Sequence, residues 1–339
     1  MKNNESLKNI KLRCLTDITK DSYTLFGLDN SFCTFKSINN ILILIYSNID
    51  YSLIFCDLLN NKKVSEIKHA HNSDIGNIRN YLDTDNKRDL ILSISIVDNN
   101  IKIWNLYNLE CIINIENINN KGILKSSCFL YDNKNHQIFI ASSNFNSGNY
   151  QDLEPIKIFD LKGKKAGEIK NSNDVTIYIE SFYDSNLSLT FIITGNNGCI
   201  KSYNMNTYDI YKKYKDEKDY FDHTSIIIFF DESIKMIESC GDGNIRIWNF
   251  HLGDLLEKIK ISDSYLYGIC FLDKDNIIVG CRDKKMKQVD IKNKILKNEF
   301  QGYNKDVITI KKINHPKYGN CLISQGKYNE QIKLWIIEN

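Results

Sequence analysis

The sequence predicts an all-β chain built from seven copies of one four-stranded unit. Two observations carry that prediction. First, an apolar strand, a short polar turn and then Ile-Lys-x-aromatic followed by Asp or Asn recur along the 339 residues. Second, each period holds four short runs rich in Ile, Val, Phe, Tyr and Leu, separated by Asn/Asp/Gly turns, which is the signature of β-strands. No segment sustains a 3.6-residue apolar period.

The recurring segment reads SLIFCDL (52–58), NIKIWNL (100–106), PIKIFDL (155–161), CIKSYNM (199–205), NIRIWNF (244–250), KMKQVDI (285–291) and QIKLWII (331–337). Its landmark residues are Asp57, Asn105, Asp160, Asn204, Asn249, Asp290 and Ile336, spaced 41 to 55 residues apart. A period in that range marks a repeat architecture, in which each unit buries its apolar faces only against its neighbours.

Taken in order, the units span about 31–69, 75–117, 122–170, 175–215, 225–260, 265–300 and 306–337. The second shows its four strands plainly as IGNIRNYL, DLILSISI, NIKIWNL and CIINIENI. The third has an expanded hairpin, NFNSGNYQDLEP (144–155), and the loop KDEKDYFDH (215–223) joins the fourth to the fifth. Long loops on a rigid scaffold are places where function concentrates. The seventh unit stops shortly after Trp335 and lacks an outer strand. Ser22–Phe26 is expected to supply it by pairing with the strand that holds Trp335, leaving 1–21 as a leader and 22–339 as a single domain. Closure of this kind removes exposed sheet edges. Residues 12–18 (LRCLTDI) also look like a strand of the repeat, but the strands that would precede them in an eighth unit are missing.

Composition narrows the function classes. Forty-four basic and 42 acidic residues give a net charge of +2, no basis for a polyanion-binding protein. The start, MKNNESLKNI, has no apolar signal-peptide core. No apolar run approaches the roughly 18 residues that would suggest a membrane-spanning helix. A cytoplasmic or nuclear chain is expected. The ten cysteines include no C-x-x-C pair and sit singly in apolar runs, as Cys33, Cys56 and Cys270 do, so they read as core.

At the level of motif, the repeat resembles that of the WD40 β-propellers, whose unit begins with Gly-His and ends with Trp-Asp. The first landmark is visible as Ala70-His71 and Asp222-His223, and in part as Gly27-Leu28, Ile261-Ser262 and Gly302-Tyr303. The Trp is present as Trp104, Trp248 and Trp335, and replaced by Cys56, Phe159, Tyr203 and Val289. The family's turn Asp matches Asp50, Asp98, Asp242 and Asp283, with Asn197 and Asn329 in two other copies. The resemblance implies a seven-bladed β-propeller with four antiparallel strands per blade, closed by an N-terminal strand.

It also implies roles for single residues. His71, Ser93 or Ser95, Asp98 and Trp104 would form a structural hydrogen-bond chain in the second blade. His223, Ser239, Asp242 and Trp248 would do so in the fifth. A hydrolytic triad is the competing reading of the same His, Ser and Asp residues, but there is no nucleophile elbow. On the rim of the central channel the resemblance places Asp74, Tyr265 and Asp306 before their first strands. Asn196, Arg282 and Tyr328 fall just ahead of the turn Asp or Asn, and Tyr303 stands where the family has His. Tyr and Arg there are the residue types that dominate binding hot spots. The plainer reading of each is a solvated hairpin side chain.

No metal or cofactor is expected. His69 and His71 should face opposite ways on an extended segment, and His136, His251 and His315 read as isolated and exposed. The basic turn CRDKKMK (281–287), flanked by Tyr265, Tyr303 and Lys327, suits an acidic or phosphorylated segment. The function expected is therefore a non-catalytic, monomeric protein-interaction scaffold. Two alternatives are a phosphoinositide-binding propeller and a substrate receptor of a ubiquitin ligase. The first is poorly served by Gly280-Cys281-Arg282-Asp283, which lacks paired arginines. The second would favour Arg where this chain has Leu59, Tyr107, Lys162, Asn206, His251 and Lys292.

Overall fold

The structure is a computed structural model that describes residues 10–18, 30–36, 41–116, 123–145, 155–170, 175–216, 221–328 and 330–338. These residues form seven four-stranded antiparallel sheets arranged as the blades of a β-propeller. The N-terminal strand β1 is Lys11–Asp17. Blade 1 is β2 Phe32–Lys36, β3 Leu42–Ser47, β4 Leu53–Asp57 and β5 Lys62–Ile67. Blade 2 is β6 Ile75–Asp83, β7 Arg88–Ser95, β8 Asn100–Asn105 and β9 Cys111–Ile115. Blade 3 is β10 Ile123–Asp132, β11 Gln137–Phe145, β12 Ile156–Asp160 and β13 Lys165–Ile169. Blade 4 is β14 Thr176–Asp184, β15 Leu189–Asn196, β16 Ile200–Asn204 and β17 Ile210–Tyr214. Blade 5 is β18 His223–Asp231, β19 Ser233–Cys240, β20 Asn244–Asn249 and β21 Leu255–Lys260. Blade 6 is β22 Leu266–Phe271, β23 Asn276–Cys281, β24 Lys285–Asp290 and β25 Ile295–Gln301. Blade 7 is β26 Val307–His315, β27 Gly319–Gly326 and β28 Ile332–Glu338, with β1 as its fourth strand. No helix among the described residues is long and apolar enough to cross a membrane.

Each blade buries both faces, because the hydrophobic clusters lie between blades. Blades 1 and 2 enclose Ile45, Phe55, Ile78 and Trp104, and blades 4 and 5 enclose Tyr178, Phe191, Met236 and Trp248. Blades 7 and 1 meet over Phe32, Leu44, Cys56 and Ile323, which closes the ring. The residue at the Trp position always packs toward the preceding blade. Trp104 faces blade 1, Phe159 blade 2, Tyr203 blade 3, Trp248 blade 4, Val289 blade 5, Trp335 blade 6 and Cys56 blade 7. That shared role explains why the position tolerates Cys or Val: it needs apolar volume, not an indole.

The ring closes through an N-terminal strand, but not the expected one. Lys11–Asp17 runs antiparallel to β28 from Lys11 opposite Glu338 to Asp17 opposite Lys333, with a bulge between Cys14 and Thr16. The free edge of the Trp335 strand is thus occupied by the LRCLTDI segment; Ser22–Phe26 lies outside the described residues. The physical reason is apolar placement. Ile10 and Leu12 pack into the cluster between blades 6 and 7, while Leu15 and Ile18 pack into the one between blades 7 and 1. Ile18 N–H also donates to Ile332 O at 2.8 Å.

Eight of the ten cysteines are buried, and the ten form no disulfide with one another. Cys14 and Cys111 are the exposed exceptions to the core reading. Burial pushes the Cys33 thiol up to about 12 and Cys56 up to about 11, which keeps both protonated and unreactive.

Candidate functional site

The three-residue relay is built by the β-ladder. Trp104 lies opposite Ile91, which places Ser93, two residues on, beside the indole. Trp104 Nε1 donates to Ser93 Oγ at 2.8 Å, and His71 Nε2 lies 2.8 Å from the same oxygen. Blade 7 repeats this with a different residue. Trp335 lies opposite Leu322, its Nε1 donates to Ser324 Oγ at 2.7 Å, and Tyr303 Oη sits 2.7 Å from that oxygen. Tyr303 also donates to Ser324 O at 2.7 Å. It is therefore a relay residue, only 4% exposed, and not the rim contact expected. A phenol reaches from the loop where the imidazole does, which is why the exchange is tolerated.

Blade 5 corrects a second expectation. Trp248 Nε1 donates to Glu238 Oε1 at 3.1 Å, and the other oxygen of Glu238 pairs with His223 Nδ1. Ser239 points the other way, since neighbouring strand residues alternate faces. It meets Thr224 Oγ1 at 3.1 Å and donates to Tyr267 O. The carboxylate of Glu238 is accompanied by a fully buried Arg246, which donates to Asp242 Oδ2 at 2.6 Å and lies 3.9 Å from Glu238. Burial would raise the Asp242 carboxyl, but hydrogen bonds from Arg246 and Asn244 hold it down at about 2. Asp242 thus anchors Arg246. In blade 2, Asp98 accepts from Asn72 N–H at 3.1 Å and from the Ser95 hydroxyl at 3.1 Å, leaving His71 Nδ1 buried without a partner. Burial, with Lys102 nearby, lowers the His71 pKa to about 3, so this imidazole is neutral.

The rim residues divide sharply. Asn196 is fully buried, accepting from the Thr176 hydroxyl at 2.8 Å and donating to Thr194 at 3.0 Å, so no partner reaches it. Asp74 is half-buried, and its carbonyl accepts from Ile96 N–H at 2.9 Å. The remaining four converge on blades 5 to 7. Tyr265 donates to Asp222 at 2.6 Å, Tyr267 donates to Asp306 at 3.0 Å, and the two rings lie 5.0 Å apart. Burial and the adjacent carboxylates hold both phenols well above their usual pKa. The Tyr265 ring lies over Gly241, where an added Cβ would fall 2.4 Å from it. Arg282 N–H donates to Tyr265 O at 2.9 Å while its side chain is exposed. Lys327 N–H donates to Asp306 O at 2.8 Å, and its ammonium lies 5.3 Å from the exposed Tyr328 ring.

Sequence reasoning missed Tyr267 and Lys125, and read Asp222 only as the residue before His223. Tyr265 and Tyr267 are two apart, a spacing that puts both on one face of an extended chain, and the bulge between Leu266 and Ile269 turns that pair. Lys125 sits at the corresponding bulge of blade 3. Burial lowers its pKa, Asp222 opposes that, and Lys327 adds to it. Two of the four cations of the basic turn are neutralised. Lys285 pairs with Glu299 at 2.6 Å, and Lys287 pairs with Asp283 and Glu299 at 2.7 Å each. Most of the 144–155 hairpin and residues 217–220 lie outside the described residues, as does Asn329.

Of the histidines, His136 is exposed and His69 projects outward. His315 is buried instead, its Nε2 3.1 Å from Leu58 O and its Nδ1 accepting from Lys317 and Tyr318 N–H. His251 is half-buried between Asp184 and Tyr211, each at 3.0 Å. Among the described residues, no three His, Cys, Asp or Glu side chains gather as a metal site would need. No protein-family model matches the sequence, and no curated protein matches it.

Proposed function

We propose that this chain is a non-catalytic WD40-type propeller, cytoplasmic or nuclear, that holds a partner protein against the rim of blades 5 to 7. The relays through Ser93 and Ser324 and the packing of the Trp position support the WD40 assignment. One observation carries the function: the Tyr265–Tyr267 pair, with each hydroxyl pinned by a carboxylate, beside an exposed Arg282 and Tyr328. Aromatic area held rigid loses little entropy on binding, and Tyr with Arg is the usual hot-spot chemistry. The relay side chains have structural partners, which favours reading them as scaffold over chemistry.

The test is the triple replacement Tyr267→Ala, Arg282→Ala and Tyr328→Ala, followed by proximity labelling in cells that express the protein. Loss of a defined partner from the labelled set supports the reading. An unchanged set removes this rim from consideration. A phosphoinositide role is disfavoured by the pairing of Lys285 and Lys287, which leaves Arg282 and Lys284 as the two exposed cations of that turn.

A further inference from the structure

The propeller face opposite that rim carries the turns between the first and second strands of each blade, and its apolar residues are not scattered. Leu82, Tyr131, Tyr183 and Phe230 occupy the same ladder position in blades 2, 3, 4 and 5, one pair before the turn. Leu82 is 58%, Tyr183 41% and Phe230 74% exposed. Blade 7 has Asn314 there, so the apolar arc covers only part of the ring.

Phe230 stands between two grooves. One, about 780 Å³, lies between blades 5 and 6 and is floored by Phe229, Ile247, Phe271 and Ile291. The other, about 460 Å³, lies between blades 4 and 5 and is lined by Phe182, Tyr183, Ile228 and Ile234. Each is large enough to take one or more partner side chains. Single exposed apolar residues need no explanation, but a contiguous track with grooves on both sides of an exposed ring marks an interaction surface.

Charge decides the occupant. The turns bordering the grooves carry Asp231, Glu232, Asp273 and Asp275 beside Lys235, Lys274 and Lys292, whereas Asp184 is buried against His251. Lys235 and Asp231 neutralise each other at 2.7 Å, which leaves Glu232, Asp273 and Asp275 against Lys274 and Lys292, a small acidic excess. A second copy of this face would bring acid to acid, and an anionic lipid surface would be repelled. We propose that the underside of blades 4 to 6 docks a basic segment of another protein, through aromatic or aliphatic anchors placed beside Phe230. This site is independent of the rim assigned above.

The test uses a random twelve-residue peptide library displayed on phage, panned against the full chain, with selected peptides measured by fluorescence anisotropy. Enriched peptides are expected to combine net positive charge with aromatic or aliphatic residues. Phe230→Glu should weaken them by at least about tenfold, the loss typical of one central anchor. Leu187→Glu and Glu232→Lys, both at exposed positions, should weaken them less, and the Arg282→Ala/Tyr328→Ala pair should leave them unchanged. Thermal melting of each variant checks that the fold persists. Acidic winners, no enrichment, or equal affinity for Phe230→Glu overturns the proposal. So does a native dimer in sedimentation velocity that Phe230→Glu converts to monomer, since the face would then be filled by self-association.

Discussion

Arg79 in blade 2 reaches past blade 3 to Glu180 in blade 4, its Nη1 2.6 Å from Oε2 and its Nη2 donating to Ile179 O at 3.0 Å. The pair ties together strands 101 residues apart in sequence. Burial alone would raise the Glu180 pKa. The Arg79 charge and hydrogen bonds from Arg79, Ser181 N–H and Tyr178 outweigh it, so the carboxyl titrates below its ordinary range. Glu180→Leu should cost about 3 kcal/mol, because it strands the guanidinium, whereas Arg79→Leu/Glu180→Leu should cost less. Denaturant unfolding of the three proteins measures this. A folded pKa below the unfolded value of about 4.3 stabilises the fold at neutral pH, and that share is lost as pH falls through the folded value. The double variant should lack this acid-side component.

Tyr303 and Trp335 share Ser324, and the two halves of the tyrosine can be separated. Tyr303→Phe removes the hydroxyl and its two contacts, with an expected cost of about 1 kcal/mol. Tyr303→Ala also removes a buried ring between blades 6 and 7, which should cost about 3–5 kcal/mol. Tyr328→Ala, at an exposed position, should stay within about 0.5 kcal/mol. Equal effects of the Phe and Ala replacements would show that packing around Tyr303 contributes nothing.

These residues also show where the sequence was legible. The repeat was readable because every blade must fill one gap toward its predecessor, so Trp104, Phe159, Tyr203, Trp248 and Trp335 recur at blade spacing. Cys56 and Val289 were found by that spacing alone. Glu238 is not legible in this way, because the family pattern has a hydroxyl there, and its only sequence signal is Arg246, opposite it across the ladder. Asn196 and Tyr303 were placed on the rim because sequence position gives the loop but not the depth of the side chain. His315 was read as exposed because its partner, Leu58 O, comes from blade 1 across the closure. Long-range partners of this kind leave no local pattern.

His71 gives a pH prediction with a definite sign. Its pKa in the fold is about 3, against about 6.5 in an unfolded chain. A depressed histidine contributes stability that is complete above the unfolded value and declines as pH falls from there toward the folded one. Between pH 6 and 4 the contribution should fall by about 1.4 kcal/mol per pH unit. Unfolding free energies of the native protein and His71→Leu across that range isolate the proton taken up at this site. Its imidazole ¹H resonances should not titrate between pH 5 and 8. A His71 that titrates near 6.5 would place it in contact with water.

The last prediction concerns closure. Deletion of residues 1–18 removes β1 and leaves β28 with an unpaired edge along its whole length. It also removes Ile10, Leu12, Leu15 and Ile18 from the two clusters that flank blade 7. An open edge is a template for pairing with another chain, so the truncated protein should associate in a concentration-dependent way and melt at lower temperature. Replacement of Leu12 and Leu15 by Ser within the intact chain should lower the melting temperature without the full loss of strand pairing. Light scattering and thermal melts read both effects. If Ser22–Phe26 could close blade 7 instead, the truncated chain would remain monomeric with a melting temperature close to that of the intact protein. The ladder from Lys11–Glu338 to Asp17–Lys333 argues for the first outcome, because that register sets Leu12 over one inter-blade cluster and Leu15, at the bulge, over the other.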